Sequence, residues 1–145
     1  MLRWLLRIVP VCFALFATAV LAAQGRFIQA LALDDGAMVV VAEGEREPRS
    51  IGSYSIRLYA VSNPEFPYDE FLHGLVVARD GFVEDVLLAD LDADGGRELV
   101  VLVRSAGTGG YLSAHSFKMA RGQVYPFRAV ADLPASVDPI DQLRQ

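Results

Sequence analysis

The sequence contains few of the residues that build common catalytic, redox and metal sites. Its 145 residues include one cysteine and two histidines. A single cysteine excludes an intrachain disulfide framework and a multi-cysteine zinc site. Basic residues are also scarce, because 13 Lys and Arg stand against 18 Asp and Glu, for a net charge of −5. Nucleic-acid-binding domains present a basic stripe or patch, so this balance argues against a nucleic-acid partner.

Motifs of known enzyme classes are missing as well. The sequence has no HExxH, P-loop or GxSxG pattern. We interpret His73 and His115 as strand residues with local hydrogen-bond partners, because each lies in an apolar run. Glu84 and Asp85 are adjacent, and neighbours on a regular strand face opposite sides, so we do not expect a glycosidase pair. We therefore predict a protein without enzymatic activity or cofactor, and keep an exported hydrolase only as an alternative.

The first 22 residues have the pattern of an export signal. Two arginines precede an uncharged apolar run from Ile8 to Val20, and Ala22 then supplies a small residue for cleavage. The run is shorter than the roughly 20 residues that span a membrane, so we favour cleavage over a retained anchor. Removing 22 of the 145 residues leaves 123, takes away the only cysteine, Cys12, and changes the net charge from −5 to −7. We expect a periplasmic protein that has no membrane contact after cleavage.

The remaining chain, residues 23–145, is predicted to be a single all-β domain. Short apolar runs alternate with turn signals, and Asp-Gly pairs at Asp35-Gly36 and Asp80-Gly81 predict tight hairpins. About eight short strands with short connections favour an antiparallel β-sandwich or a barrel-like domain. The predicted strands are 27–33, 37–42, 53–62, 71–79, 82–89, 98–104, 111–119 and 123–131.

Two segments of this domain deviate from simple alternation. The run at 98–104 (ELVVLVR) is continuously apolar, which predicts a central strand buried on both faces. The chain after Pro134 contains Pro139 and polar residues, so we expect a loosely attached tail beyond a core of residues 27–131.

An acidic loop follows the fifth predicted strand. Asp90, Asp92, Asp94 and Glu98 occupy its first, third, fifth and ninth positions, and Ca²⁺ takes six to eight oxygen ligands. The spacing resembles the calcium loops of integrin-type β-propeller repeats, although the sequence holds one copy and lacks the EF-hand glutamate. The alternative is an acidic turn whose Asp side chains cap backbone N–H groups. If calcium binds, the protein could instead be a calcium-stabilised extracytoplasmic β-module for adhesion or surface assembly.

A glycine-rich loop at 105–111 (SAGTGGY) joins the sixth and seventh predicted strands. Its side chains are few and mostly hydroxyl-bearing, so its tip can enter a narrow cleft and offer hydrogen bonds at close range. A helix N-terminus does not follow it, which argues against a phosphate loop. The alternative is a flexible hairpin tip without a role.

Three segments resemble a known family of exported bacterial inhibitors. They are 52–59 (GSYSIRLY), 90–107 (DLDADGGRELVVLVRSAG) and 107–117 (GTGGYLSAHSF). Their order and spacing behind an export signal are similar to those of the periplasmic inhibitors of invertebrate-type (i-type) lysozyme. The resemblance extends from Ser50 to Val130.

The resemblance implies an antiparallel β-sandwich, a homodimer, and a loop with a hydroxyl and a tyrosine that enters the lysozyme cleft. The family's loop pattern is Ser-Gly-x-Tyr, and Thr108-Gly109-Gly110-Tyr111 aligns with it, with Thr in place of Ser. The implied partner, lysozyme, is commonly basic and would attract an acidic inhibitor. The expected lysozyme-binding residues are Ser105, Gly107, Thr108, Gly109, Gly110 and Tyr111.

Overall fold

Two four-stranded antiparallel sheets make up most of residues 25–145, the part that the computed structural model describes. The predicted signal at residues 1–22 lies outside the described residues. The first sheet contains β1 (Ile28–Ala32), β2 (Met38–Glu43), β3 (Ile51–Ala60) and β4 (Glu70–Asp80). The second contains β5 (Phe82–Ala89), β6 (Glu98–Arg104), β7 (Leu112–Ala120) and β8 (Gln123–Leu133), followed by a short helix α1 (Pro139–Leu143).

Strands follow one another in space in the order in which they occur in the chain. The first sheet has the order β1-β2-β3-β4 and the second β5-β6-β7-β8. Every strand pair is therefore a hairpin, and the chain passes between sheets at Gly81. This arrangement confirms the predicted all-β class and its eight strands, and it is a sandwich of two sheets rather than a closed barrel.

The main core lies between the two sheets. Alternate residues of each strand face inward, so that Val39 and Ile56 of the first sheet pack in one cluster with Leu99, Val101 and Phe117 of the second. Each of these five side chains is at most 2% exposed. Burial of apolar surface, at about 25 cal/mol per Å², holds the sheets together without any disulfide.

A second apolar cluster covers the outer face of the second sheet. Leu143 of α1 packs there with Leu91, Val100 and Ala114. β6 is consequently buried on both faces, as its continuous apolar run predicts. Among residues 25–145, no helix has the length and the apolar character needed to cross a membrane.

The C-terminal tail is anchored, contrary to the expectation that it is loosely attached. Asp138 caps α1 by accepting a hydrogen bond from the Ile140 N–H. The Leu143 side chain is 1% exposed, and its carbonyl accepts a hydrogen bond of 2.6 Å from Arg128. Ile140 and Leu143, the two apolar residues of α1, are too short a pattern to predict a helix from sequence. They find packing partners only on the outer face of the finished second sheet.

A β-bulge in β5 changes the expected orientation of two carboxylates. The register with β6 shifts between Val83 and Asp85, and Val83 and Val86 are both buried. Glu84 and Asp85 are consequently both exposed. The prediction that they face opposite sides is wrong, because a bulge adds one residue to the strand and interrupts alternation.

Candidate functional site

The glycine-rich loop at 105–111 projects from one end of the sandwich. It connects β6 to β7, next to the turn at Gly81 and to the loop at 44–50. Its tip, residues 106–109, is exposed, and Tyr111 retains 47% of its surface accessible. The hydroxyl and backbone groups of the tip are therefore accessible to a partner.

Hydrogen bonds at its base close the loop. The Ser105 N–H donates to the Tyr111 carbonyl at 2.9 Å, and the Ser105 Oγ accepts from the Gly107 N–H at 3.2 Å. Arg104, the last residue of β6, donates from one terminal nitrogen to the Gly110 carbonyl at 2.7 Å. Ser105 thus shapes the turn, whereas Thr108 and Tyr111 lie where a partner can reach them.

Two glycines are required by the conformation of the loop. A Cβ at Gly109 would lie 2.3 Å from Cε2 of Tyr111, so the tyrosine ring occupies the space of a side chain there. Gly110 has a φ of 61°, in the left-handed region that favours glycine. At Gly107, in contrast, the nearest atom to an added Cβ is the Ser105 Oγ, 3.5 Å away. Gly109 and Gly110 therefore set the position of the Tyr111 ring.

The acidic loop lies at the opposite end of the sandwich and surrounds a lysine. Carboxylate oxygens of Asp90, Asp92 and Glu98 lie within 4.8 Å of one another. The Lys118 Nζ lies 2.5 Å from Asp92, 3.1 Å from Asp94 and 3.4 Å from Glu98. Hydrogen bonds to Asp92 and Asp94 raise the pKa of Lys118 above its ordinary value. The protein's own ammonium group therefore neutralises part of the carboxylate charge that the calcium hypothesis requires.

Backbone contacts in this acidic loop agree with the alternative of a capped turn. Asp90 accepts a hydrogen bond of 3.1 Å from the Gly95 N–H, and Asp94 accepts one of 2.8 Å from the Gly96 N–H. The Gly96 bond, followed by the Lys118 contact, holds the pKa of Asp94 below its usual range. Asp90, Asp92, Asp94 and Glu98 are brought together, but away from the glycine-rich loop.

Both histidines have hydrogen-bond partners inside the sandwich. The His115 Nδ1 lies 2.8 Å from the hydroxyl of Tyr54, a residue with no exposed surface, and the His73 Nδ1 accepts from the Val124 N–H at 3.3 Å. Burial raises the pKa of Tyr54 and lowers that of His115. These contacts agree with the interpretation of both histidines as strand residues.

Negative charge is concentrated at the end of the sandwich that is far from the glycine-rich loop. The four connections at that end, 33–37, 61–69, 90–97 and 121–122, carry seven acidic and two basic residues. The strand-to-strand connections at the loop end, 44–50, Gly81 and 105–111, carry two of each, all within 44–50, and the segment 134–138 that follows β8 there adds Asp138. The net charge can attract a basic partner over long range, whereas the strand connections around the glycine-rich loop carry little net charge.

The described chain is a small β-sandwich protein with an exposed glycine-rich loop at one end. A model of the family described as periplasmic lysozyme inhibitor of I-type lysozyme matches residues 25–145. No curated protein matches the chain. The chain therefore belongs to the family of periplasmic inhibitors of I-type lysozyme, and it is an inhibitor rather than an enzyme.

Solved structures of a related protein have the same fold. The crystal structure of the periplasmic inhibitor of I-type lysozyme from Aeromonas hydrophila is 43% identical, covers 81% of this chain and 98% of that chain, and has a TM-score of 0.77. The Aeromonas hydrophila inhibitor in complex with Meretrix lusoria lysozyme is 44% identical to this chain. The match covers 82% of this chain and 96% of that inhibitor chain, with a TM-score of 0.77.

Proposed function

We propose that the protein reaches the periplasm through a cleaved signal at residues 1–22 and inhibits i-type lysozyme by inserting the glycine-rich loop into the active-site cleft. The observation that carries this proposal is the form of the loop. It projects, it is closed at its base, and it presents Thr108 and Tyr111 on a backbone with few side chains. Crystallisation of the Aeromonas hydrophila relative with a lysozyme supports the choice of partner.

The chemistry of a glycosidase cleft suits this loop. Glycosidases use a pair of Asp or Glu side chains, and these carboxylates need hydrogen-bond donors when an inhibitor expels water. The Thr108 and Tyr111 hydroxyls and the free N–H groups of the tip can donate to them, at about 1.5–3 kcal/mol for each bond to a charged group. The Tyr111 ring would be the aromatic anchor at the centre of the interface.

The threonine at position 108 distinguishes this loop from the Ser-Gly-x-Tyr pattern. Thr108 is exposed, so its extra methyl group is accommodated in the free protein without strain. In a cleft it occupies additional volume and stiffens the side chain at χ1. We expect the difference to affect which lysozymes are bound rather than whether the loop can insert.

A titration of residues 23–145 against i-type, chicken-type and goose-type lysozymes tests the proposal. The expected result is inhibition of the i-type enzyme. Tyr111→Ala and Thr108→Ala should weaken inhibition, whereas Tyr125→Ala should not, because Tyr125 is similarly exposed (42%) but lies on β8. The proposal fails if no class is inhibited at micromolar excess, and the loop is the wrong site if both loop variants inhibit like the parent.

We also propose that the inhibitor is a homodimer formed through the outer face of the first sheet. Val76 and Ile28 on this face are 76% and 69% exposed. Arg57 lies among the apolar residues, and its Nε is buried without a hydrogen-bond partner in the described chain. The four strands of this sheet contain 5, 6, 10 and 11 residues, which at about 3.3 Å per residue and about 4.8 Å between strands gives a face of roughly 500 Å². Two copies would bury roughly 1,000 Å² in total, the smallest area expected of a specific interface between proteins.

Light scattering on a size-exclusion column tests the dimer. Val76→Lys should halve the measured mass, because a charge at this exposed position cannot be buried without a partner. Tyr125→Lys, on the second sheet, is the control and should leave the mass unchanged. A parent chain that is monomeric at all tested concentrations would overturn this part of the proposal.

A further inference from the structure

Arg104 forms a non-covalent cross-link, made of hydrogen bonds, between the strand β5 and the glycine-rich loop. Its Nε and one terminal nitrogen donate to the two carboxylate oxygens of Glu84, the latter at 2.7 Å. Its other terminal nitrogen donates to the Gly110 carbonyl at 2.7 Å. The guanidinium is thus fixed on one side by a carboxylate and holds the loop backbone with the remaining edge.

The bulge in β5 places Glu84 in this position. Glu84 is the residue that the register shift between Val83 and Asp85 leaves without a partner on β6. Bulges redirect side chains in this way. The paired side chains of Arg104 and Glu84 are 29% and 35% exposed, and the hydrogen bond from Arg104 holds the pKa of Glu84 below its usual range.

The cross-link restricts the part of the loop that precedes the anchoring tyrosine. The Ser105–Tyr111 backbone bond and the Arg104–Gly110 bond cross the base of the loop at adjacent positions. Only residues 106–109 then lie beyond these two bonds. Beneath them Gly81 packs against the carbonyl of Arg104, where a Cβ would lie 2.0 Å from the oxygen. A glycine-rich loop without such restraints would lose much conformational entropy on binding.

We propose that Arg104, oriented by Glu84, is a positioning residue that fixes the glycine-rich loop in its inserting conformation before lysozyme binds. The inference rests on the proposed function of the loop. By holding the Gly110 carbonyl, Arg104 fixes the left-handed residue that turns the chain into Tyr111. Loss of the cross-link would lower the fraction of molecules with a binding-competent loop, and affinity falls in proportion to that fraction.

A second arginine–carboxylate pair provides a matched control. Arg97 contacts Asp34 at the far end of the sandwich with the same geometry, Nε and one terminal nitrogen on two carboxylate oxygens. Arg97→Met therefore removes the same charge and the same kind of ion pair as Arg104→Met. Only Arg104→Met also removes the hydrogen bond to the Gly110 carbonyl of the loop.

The experiment compares three variants with the parent. Arg104→Met is expected to raise the inhibition constant for i-type lysozyme at least tenfold, and Arg97→Met to change it less than twofold. The double variant Glu84→Arg with Arg104→Glu restores an ion pair, but a carboxylate at 104 cannot donate to the Gly110 carbonyl. We expect inhibition by this variant to stay as weak as that by Arg104→Met.

Amide hydrogen exchange of the free proteins separates positioning from direct contact. In Arg104→Met the Ser105 amide should exchange at least tenfold faster, while the Val101 amide in the middle of β6 keeps its rate. Unchanged Ser105 exchange, equal losses in Arg104→Met and Arg97→Met, or full recovery in the double variant would each overturn the proposal. If the parent inhibits no lysozyme, the proposed function fails, and the exchange rates still decide whether Arg104 holds the loop.

Discussion

Substitution of Gly109 by alanine is the sharpest test of how the loop presents its tyrosine. The new Cβ would lie 2.3 Å from Cε2 and 2.6 Å from Cδ2 of Tyr111, distances that no real Cβ tolerates. The backbone at 109 is not left-handed, so the ring rather than the main chain must move. Because the ring is half exposed, it can swing into solvent, and we expect the stability to stay within about 1 kcal/mol of the parent.

The cost should instead appear in binding. Truncation of a central aromatic anchor removes about 2 kcal/mol or more, and displacement of Tyr111 should approach that loss. Since about 1.4 kcal/mol corresponds to a factor of ten, the inhibition constant of Gly109→Ala should rise by roughly 30-fold. The assay is residual lysozyme activity on a cell-wall suspension over a range of inhibitor concentrations, with thermal unfolding measured in parallel.

Gly107→Ala is the matched control, since a Cβ there meets only the Ser105 Oγ at an ordinary 3.5 Å. It leaves the Tyr111 ring in place, so it should retain more inhibition than Gly109→Ala. The reasoning is refuted if Gly109→Ala inhibits like the parent while Tyr111→Ala does not. It is also refuted if both glycine variants lose the same amount, because close approach of the tip alone would then explain the result.

Three further outcomes follow from other parts of the molecule. Leu143→Ala should destabilise the fold by about 2–4 kcal/mol in urea unfolding, with little effect on inhibition, because Leu143 is 1% exposed where α1 packs on the second sheet. A change within about 0.5 kcal/mol, the usual effect of a surface substitution, would show a loose tail. Burial lowers the pKa of His115, so the unfolded chain binds a proton more readily than the folded one, and the free energy of unfolding should fall as pH drops below about 6.5. His115→Gln should flatten this dependence. Equal slopes of the free energy of unfolding against pH in the parent and the variant would contradict the prediction. Lys118→Met should lower the thermal midpoint more at pH 7 than at about pH 2, because the pKa of Asp94 lies below its usual range and its ion pair with Lys118 is lost only in strong acid; an equal loss at both pH values would contradict this. Millimolar calcium should not change the thermal midpoint of the parent, and a calcium-dependent rise that Asp92→Asn abolishes would favour the calcium hypothesis.

Sequence patterns predicted the local part of this structure well. All eight strands lie close to their expected positions, because alternation of apolar residues and Asp-Gly turns act over a few residues. The burial of β6 on both faces also follows from its continuous apolar run. The loop at 105–111 stands out in sequence through its composition, and the resemblance to the inhibitor family points to the same residues.

Contacts between distant residues were not predictable in the same way. The bulge that exposes both Glu84 and Asp85 depends on the pairing of β5 with β6, and the anchoring of α1 depends on the finished surface of the second sheet. Lys118 lies more than 20 residues from the carboxylates of Asp92 and Asp94 that it contacts. None of these partners is marked in the sequence, because a charged residue has many possible partners until the sheets bring one within reach.

The sequence by itself determined the class of fold, the strand positions and the loop that carries the proposed function. Only the tertiary structure decided how that loop is held. Turn and strand preferences arise from the dihedral angles of neighbouring residues, so a short window contains them. The Tyr111 ring over Gly109 and the Glu84–Arg104–Gly110 cross-link need a bulge and a strand pairing across 20 residues, and such geometry exists only once the chain has folded.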